Sequence, residues 1–119
     1  MSGLETTLDD TIDSIFRVSP AVRYVALYRN GKLYSRERPD LTGGSSAESD
    51  RYEELIVNPA LLTLAKQRGD IDCGGARFVL VGYGKFHQLI VPVPGGHVSV
   101  GFDLTEDPLR HVAAIAAKF

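Results

Sequence analysis

The order in which helical and strand-like periodicities follow one another constrains this chain more than any single motif. It reads helix, two strands, helix, three strands, helix. The first strand pair is signed by Asn30-Gly31, which supplies the two positive φ values of a type I′ turn between Val22–Tyr28 and Leu33–Arg38. With a two-residue loop Arg29 faces Lys32, and Arg23 faces Arg38 on the same side as Arg36. Like charges placed opposite each other weaken a strand pair, so the returning strand is expected at a sheet edge. There cations reach water and discourage a foreign strand. Pro39 ends it.

Before the hairpin, Leu4, Leu8, Ile12, Ile15 and Phe16 recur at helical spacing, with Glu5, Asp9, Asp10 and Asp13 on the other side. Ser19-Pro20 stops that helix. Leu41–Ser49, with Gly43-Gly44-Ser45-Ser46 inside it, reads as a flexible loop. Ser49 or Asp50 can cap the next helix, which carries Leu55, Ile56, Leu61, Leu62, Leu64 and Ala65. Asn58-Pro59 predicts a kink or a restart there, and Gly69 is placed to end the helix in a left-handed conformation.

Arg77–Tyr83 is apolar on both faces, as for a strand covered on both sides. Gly82 and Gly84 allow a turn into Phe86–Val93, and a Gly95-Gly96 loop leads into His97–Phe102. That register puts Leu89, Val91, Val93, Val98, Val100 and Phe102 on one face and Gln88, Ile90, Ser99 and Gly101 on the other. Pro92 marks a bulge or an incompletely paired strand. Thr105 caps a closing helix, with Pro108 in its first turn and a buried stripe of Leu109, Val112, Ala113, Ala116 and Phe119.

At 119 residues the chain is expected to form one domain over 1–119, and its net charge of −2 gives no basic surplus for nucleic acid. A single cysteine, Cys73, and an N-terminus without a basic start or apolar stretch lead us to expect a cytoplasmic protein. No apolar run approaches the roughly 20 residues of a membrane span.

No constellation of chemistry emerges, and neither an enzyme nor a cofactor is expected. In the hairpin register above, His87 and His97 stand about seven strand steps, roughly 23 Å, apart. His111 has no ligand partner one turn on, so no metal site is expected. Cys73 follows Asp70 and Asp72, a poor setting for a thiolate. Gly82-Tyr83-Gly84-Lys85 lacks the spacing, the hydroxyl and the helix of a phosphate loop. The paired carboxylates Asp9/Asp10, Glu53/Glu54 and Asp70/Asp72 read as solvated faces. Arg23, Arg29, Lys32, Arg36 and Arg38, interleaved with Tyr24, Tyr28 and Tyr34, form either an anion or acidic-partner patch or a solubilised edge.

The element order, the hairpin Val22–Arg38, the long middle helix and the three-strand run Arg77–Asp103 together resemble the roadblock/dynein light-chain family. The resemblance spans Leu4 to Phe119. It implies an α+β, profilin-like fold: a five-stranded antiparallel sheet of order 2-1-5-4-3, the middle helix on one face and the two terminal helices on the other. It also implies a homodimer. In the family the third strands of two protomers pair and the middle helices pack side by side, which here would use Phe78, Val79, Leu80 and Val81 with Leu61, Leu62 and Ala65. Family members act as scaffolds, dynein cargo adaptors or regulators of small Ras-like GTPases. This chain departs from the pattern at Pro59 and in its long Gly/Ser loop. A second reading is a small-ligand sensor of profilin-like or PAS-like type, with Gln88 and Ser99 as pocket residues.

Overall fold

A computed structural model of the chain describes residues 2–41 and 47–119. The Gly43–Ser46 loop and the side chain of Leu4 lie outside what is described. Helix α1 (Ser2–Phe16) leads into the hairpin β1 (Val22–Arg29) and β2 (Lys32–Glu37). Asn30 and Gly31 take φ of 52° and 81° at its turn, as a type I′ turn requires. A continuous helical stretch follows: α2 (Ala47–Tyr52), a π turn (Glu53–Val57) and α3 (Asn58–Asp72). Then come β3 (Val79–Gly82), β4 (His87–Val93) and β5 (Gly96–Phe102). A 3-10 turn (Pro108–His111) and α4 (Val112–Ala116) close the chain.

The sheet runs β2-β1-β5-β4-β3, antiparallel throughout. One face carries the apolar core: Val25, Leu27, Leu89, Val91, Val98, Val100 and Phe102 pack against Ile12 and Ile15 of α1 and Ile115 of α4. The π turn and α3 cover the opposite face, where Gln88, Ile90, Ser99 and Gly101 point as the alternation predicts.

Several expectations are corrected. The β4–β5 turn is Pro94-Gly95, because Val93 pairs with Gly96. Proline suits the first central position of a type II turn and Gly95, at φ 85°, the second. Gly96 is drawn into the strand, where a Cβ would lie 1.8 Å from the Tyr28 carbonyl oxygen. Moving one residue on each side leaves the facing unchanged, but brings His87 and His97 to five strand steps apart, since His97 pairs with Pro92. Pro92 causes no bulge: the β4–β5 register runs through it, and β3 pairs no further than Ile90. The bulge sits in β1 instead, where Val22 faces Phe102 but Tyr24 faces Gly101, leaving Arg23 as the extra residue.

Gly69 does not end its helix. It is buried within α3, and a Cβ there would meet the Gly75 carbonyl oxygen at 2.1 Å. The chain turns back at Gly74 and Gly75, both with positive φ, and the Cys73 and Gly75 N–H groups both donate to the Gly69 carbonyl. Ser49 and Asp50 lie within α2 and do not precede it. Arg77–Tyr83 supplies only the four paired residues Val79–Gly82, at the sheet edge and half-covered. The closing helix is capped by Asp107, whose carboxylate accepts from Leu109 N–H, not by Thr105. A 3-10 first turn rotates the buried stripe to Pro108 and Ile115, flanked by the half-buried Val112 and Phe119. Leu109, Ala113 and Ala116 are left exposed.

Candidate functional site

The chemistry of this molecule gathers beneath the π turn. Pro59 has no N–H to return to Leu55, and its ring would crowd that carbonyl in a regular helix. The chain answers by widening one turn: Asn58 N–H donates to Glu53 O, five residues back, with Tyr52, Val57 and Asn58 all in right-handed helical backbone. The helix therefore neither breaks nor restarts from a loop. The widened turn presents two consecutive carboxylates to the sheet side.

Glu54 is fully buried, contrary to its reading as part of a solvated face. Its Oε1 takes His97 Nε2 at 2.8 Å and Asn58 Nδ2 at 3.0 Å. Its Oε2 takes Ser99 Oγ at 2.6 Å and Tyr24 OH at 3.3 Å. A carboxylate offers about four lone-pair positions, so its capacity is filled. The donors come from β1, β5 and α3, and one side chain thus ties the middle helix to two strands. The His97 ring is tilted against Tyr28 at 5.7 Å between centroids. Burial first, then the charges of Glu54 and Asp50, push the Tyr24 hydroxyl well above its ordinary pKa.

Glu53 has a different set of partners. Its Oε1 accepts from Tyr83 OH at 2.7 Å, while its Oε2 is buried with no partner among the described residues. Burial raises the Glu53 pKa; burial and the Glu53 bond push Tyr83 up to about 12. Both residues line a cavity of about 450 Å³ between the π turn and the sheet. The residues lining it include the aromatic Tyr24, Tyr52, Tyr83 and Phe86 and the acidic Glu37, Asp50, Glu53 and Glu54. Gln88, at 1% exposure, also lines it, and its Nε2 has no partner among the described residues.

The residues singled out from sequence fall in three places. Gln88 reaches the cavity, whereas Ser99 lies beside it, committed to Glu54. In the basic group, Arg23 and Arg38 both bind Asp103, at 3.4 and 2.9 Å, which bridges the like charges that face each other across the hairpin. Arg38 also pairs with Asp40 and Arg36 with Asp13. The bulge turns Arg23 toward the cavity, its guanidinium over the Phe86 ring. Lys32 is exposed at the turn, and Arg29 Nε is buried without a partner among the described residues. Leu61, Leu62 and Ala65 on α3 and Phe78, Val79, Leu80 and Val81 around β3 are all half-buried. Phe78 and Leu80 pack on the apolar core; Val79 and Val81 pair with Ile90 and Gln88. Cys73 is an exposed thiol, 3.2 Å from Asp72 Oδ1. Among the described residues no cluster of His, Cys, Asp and Glu could hold a metal ion, and no helix is long and apolar enough to cross a membrane.

Sequence reasoning missed Glu53 and Glu54. The available signal was the pattern Glu54…Asn58 at one helical turn, facing a strand with alternate His97 and Ser99 that needed an acceptor.

No protein-family model matches the sequence, and no curated protein matches it. Among solved structures the chain is similar to the gliding protein MglB from Thermus thermophilus. Identity is 15% and the TM-score 0.63, over 95% of this chain and 88% of that one. A likeness at that identity speaks for architecture. With the strand order 2-1-5-4-3 and helices on both faces, the chain has the roadblock-like, profilin-like fold that the resemblance implied.

Proposed function

We propose that the chain is a non-enzymatic homodimeric interaction module of the cytoplasm that regulates, or serves as adaptor for, a small Ras-like GTPase. The observation that carries this reading is the contrast between the two sheet edges. β2 is defended by Lys32, Arg36 and Glu37, whereas β3 is Val-Leu-Val-Gly, with no charge and no proline. It pairs with β4 on one side, and among the described residues nothing pairs with the other. A bare apolar edge is a template for another strand, and a two-fold axis beside it pairs β3 with its own copy into one continuous sheet. α3 supports the same interface: Leu64 and Ile71 are 64% and 75% exposed, with Leu61 nearby. The GTPase half of the reading draws on the family resemblance, together with the fold shared with the gliding protein MglB.

Light scattering after size exclusion should give a dimer at micromolar concentration. Val79→Lys should give a monomer, and Leu64→Glu, on an exposed face, should weaken the dimer with the circular dichroism spectrum unchanged. A wild-type monomer at every concentration would overturn the dimer. For the partner, purified Ras-like GTPases of the source organism should co-elute with the dimer, or hydrolyse or exchange nucleotide at a changed rate. No effect on any of them would overturn the GTPase half.

A further inference from the structure

We propose that the cavity beside the π turn binds a small primary amine that also carries a carbonyl or carboxylate oxygen. Glu53 Oε2 receives the ammonium, and Gln88 Nε2 donates to the oxygen.

Buried polar atoms without a partner are rare in folded proteins, and each calls for an explanation. Two residues that line this cavity carry one each, and they are opposite in kind. Gln88, 1% exposed, has a buried donor, and Glu53, with its other oxygen held by Tyr83, has a buried acceptor, neither partnered among the described residues. A ligand that completes both must bring a donor and an acceptor. The surroundings set the charge. Glu37, Asp50, Glu53 and Glu54 outnumber Arg23 and Lys85, and Arg23 is already held by Asp103. Glu54 adds field and no contact, since its four donors fill it. Aromatic rings near a cation add attraction, and Tyr24, Tyr52 and Tyr83 are among the lining residues, while the Phe86 ring is already covered by Arg23. A volume of about 450 Å³ suits a metabolite-sized molecule. Phosphates and simple carboxylates are disfavoured by the same charges.

This site is independent of the dimer reading, and its test is separable. The full chain, labelled with ¹⁵N, is titrated with four probes that share a phenyl ring. Phenylalanine amide has both groups, phenethylamine only the amine, phenylacetamide only the oxygen, and phenylacetate a negative charge. Phenylalanine amide should saturably shift the Gln88 side-chain amide pair and the Tyr83 backbone signal. It should bind about ten-fold tighter than either half-probe, with phenylacetate weakest. Glu53→Gln still accepts from Tyr83, so it should keep the fold, weaken phenylalanine amide about ten-fold and leave phenylacetamide unchanged. Gln88→Leu should reduce phenylalanine amide to the affinity of phenethylamine. The absence of saturable shifts with every probe would overturn the proposal. So would phenylacetate binding as well as the amines, or affinities that neither substitution alters.

Discussion

At the scale of residues, two carboxylates show how local bonding decides what an acid contributes. Glu54 is surrounded by donors that have no other described acceptor. Glu54→Ala would leave His97 and Ser99 buried and unpaired, which costs about 3 kcal/mol or more. Urea unfolding followed by circular dichroism measures this, and Glu54→Gln, which keeps one acceptor oxygen, should fall between wild type and alanine. Glu106 sits in a half-buried network near the surface. His111 Nε2, Ser19 Oγ and the Asp107 N–H donate to it and hold its pKa at about 2, below the ordinary 4.5. A carboxyl whose pKa is lowered by folding adds stability above its unfolded value and loses it as pH falls toward the folded one. The stability difference between wild type and Glu106→Gln should therefore shrink as pH falls from 4.5 to about 2. An acid limb identical in the two proteins would contradict the assignment.

At the scale of elements, glycines test where chain segments touch. In Gly69→Ala the new methyl meets the Gly75 carbonyl in the turn that closes α3, so a loss of about 1–3 kcal/mol is expected. Gly82→Ala, with open space and no positive φ, should stay within about 0.5 kcal/mol of wild type. Thermal melts of the pair separate close approach from chain flexibility. The same two positions show what the sequence could reveal. Strands and their faces were legible because Asn30-Gly31 and the alternation from Leu89 to Phe102 are local codes. Gly69 was not, because its partner is a backbone oxygen brought back by a later turn. The β4–β5 register slipped for a related reason: Gly95-Gly96 alone is a good loop, and only the Tyr28 carbonyl beside Gly96 decides against it. Glu53-Glu54 read as solvated because acids near a helix start usually are. Their burial depends on the π turn that Pro59 imposes and on donors from β1 and β5. Gln88 was placed on the right face by alternation alone, while its role required knowing that the cavity above it stays open.

At the scale of the whole molecule, the two faces of the sheet are held by different forces. Against α1 and α4 lies a continuous apolar core; against the π turn and α3 lie Glu54, Asn58, His97, Ser99 and Tyr24, with small residues Ala26 and Gly101 between them. Apolar burial is spread over many atoms, whereas a hydrogen-bonded cluster is gained or lost as a unit. Native-state hydrogen exchange should thus show α3 amides opening at lower free energy than those of β1 and β5. Equal protection in both layers would contradict this division. Dimer formation over α3 and β3 would raise the protection of the weaker layer, since binding to the closed form alone stabilises it.

The bulge at Arg23 carries a last consequence. One surplus residue in the first strand turns a guanidinium away from the oily side, so Asp103, just past the last strand, can clasp both arms of the opening hairpin. The beginning and end of the sheet are stitched together at that corner, far from the bare rim. A newcomer strand docking at the rim would extend a sheet whose opposite end is already locked, and could add itself without loosening anything behind it.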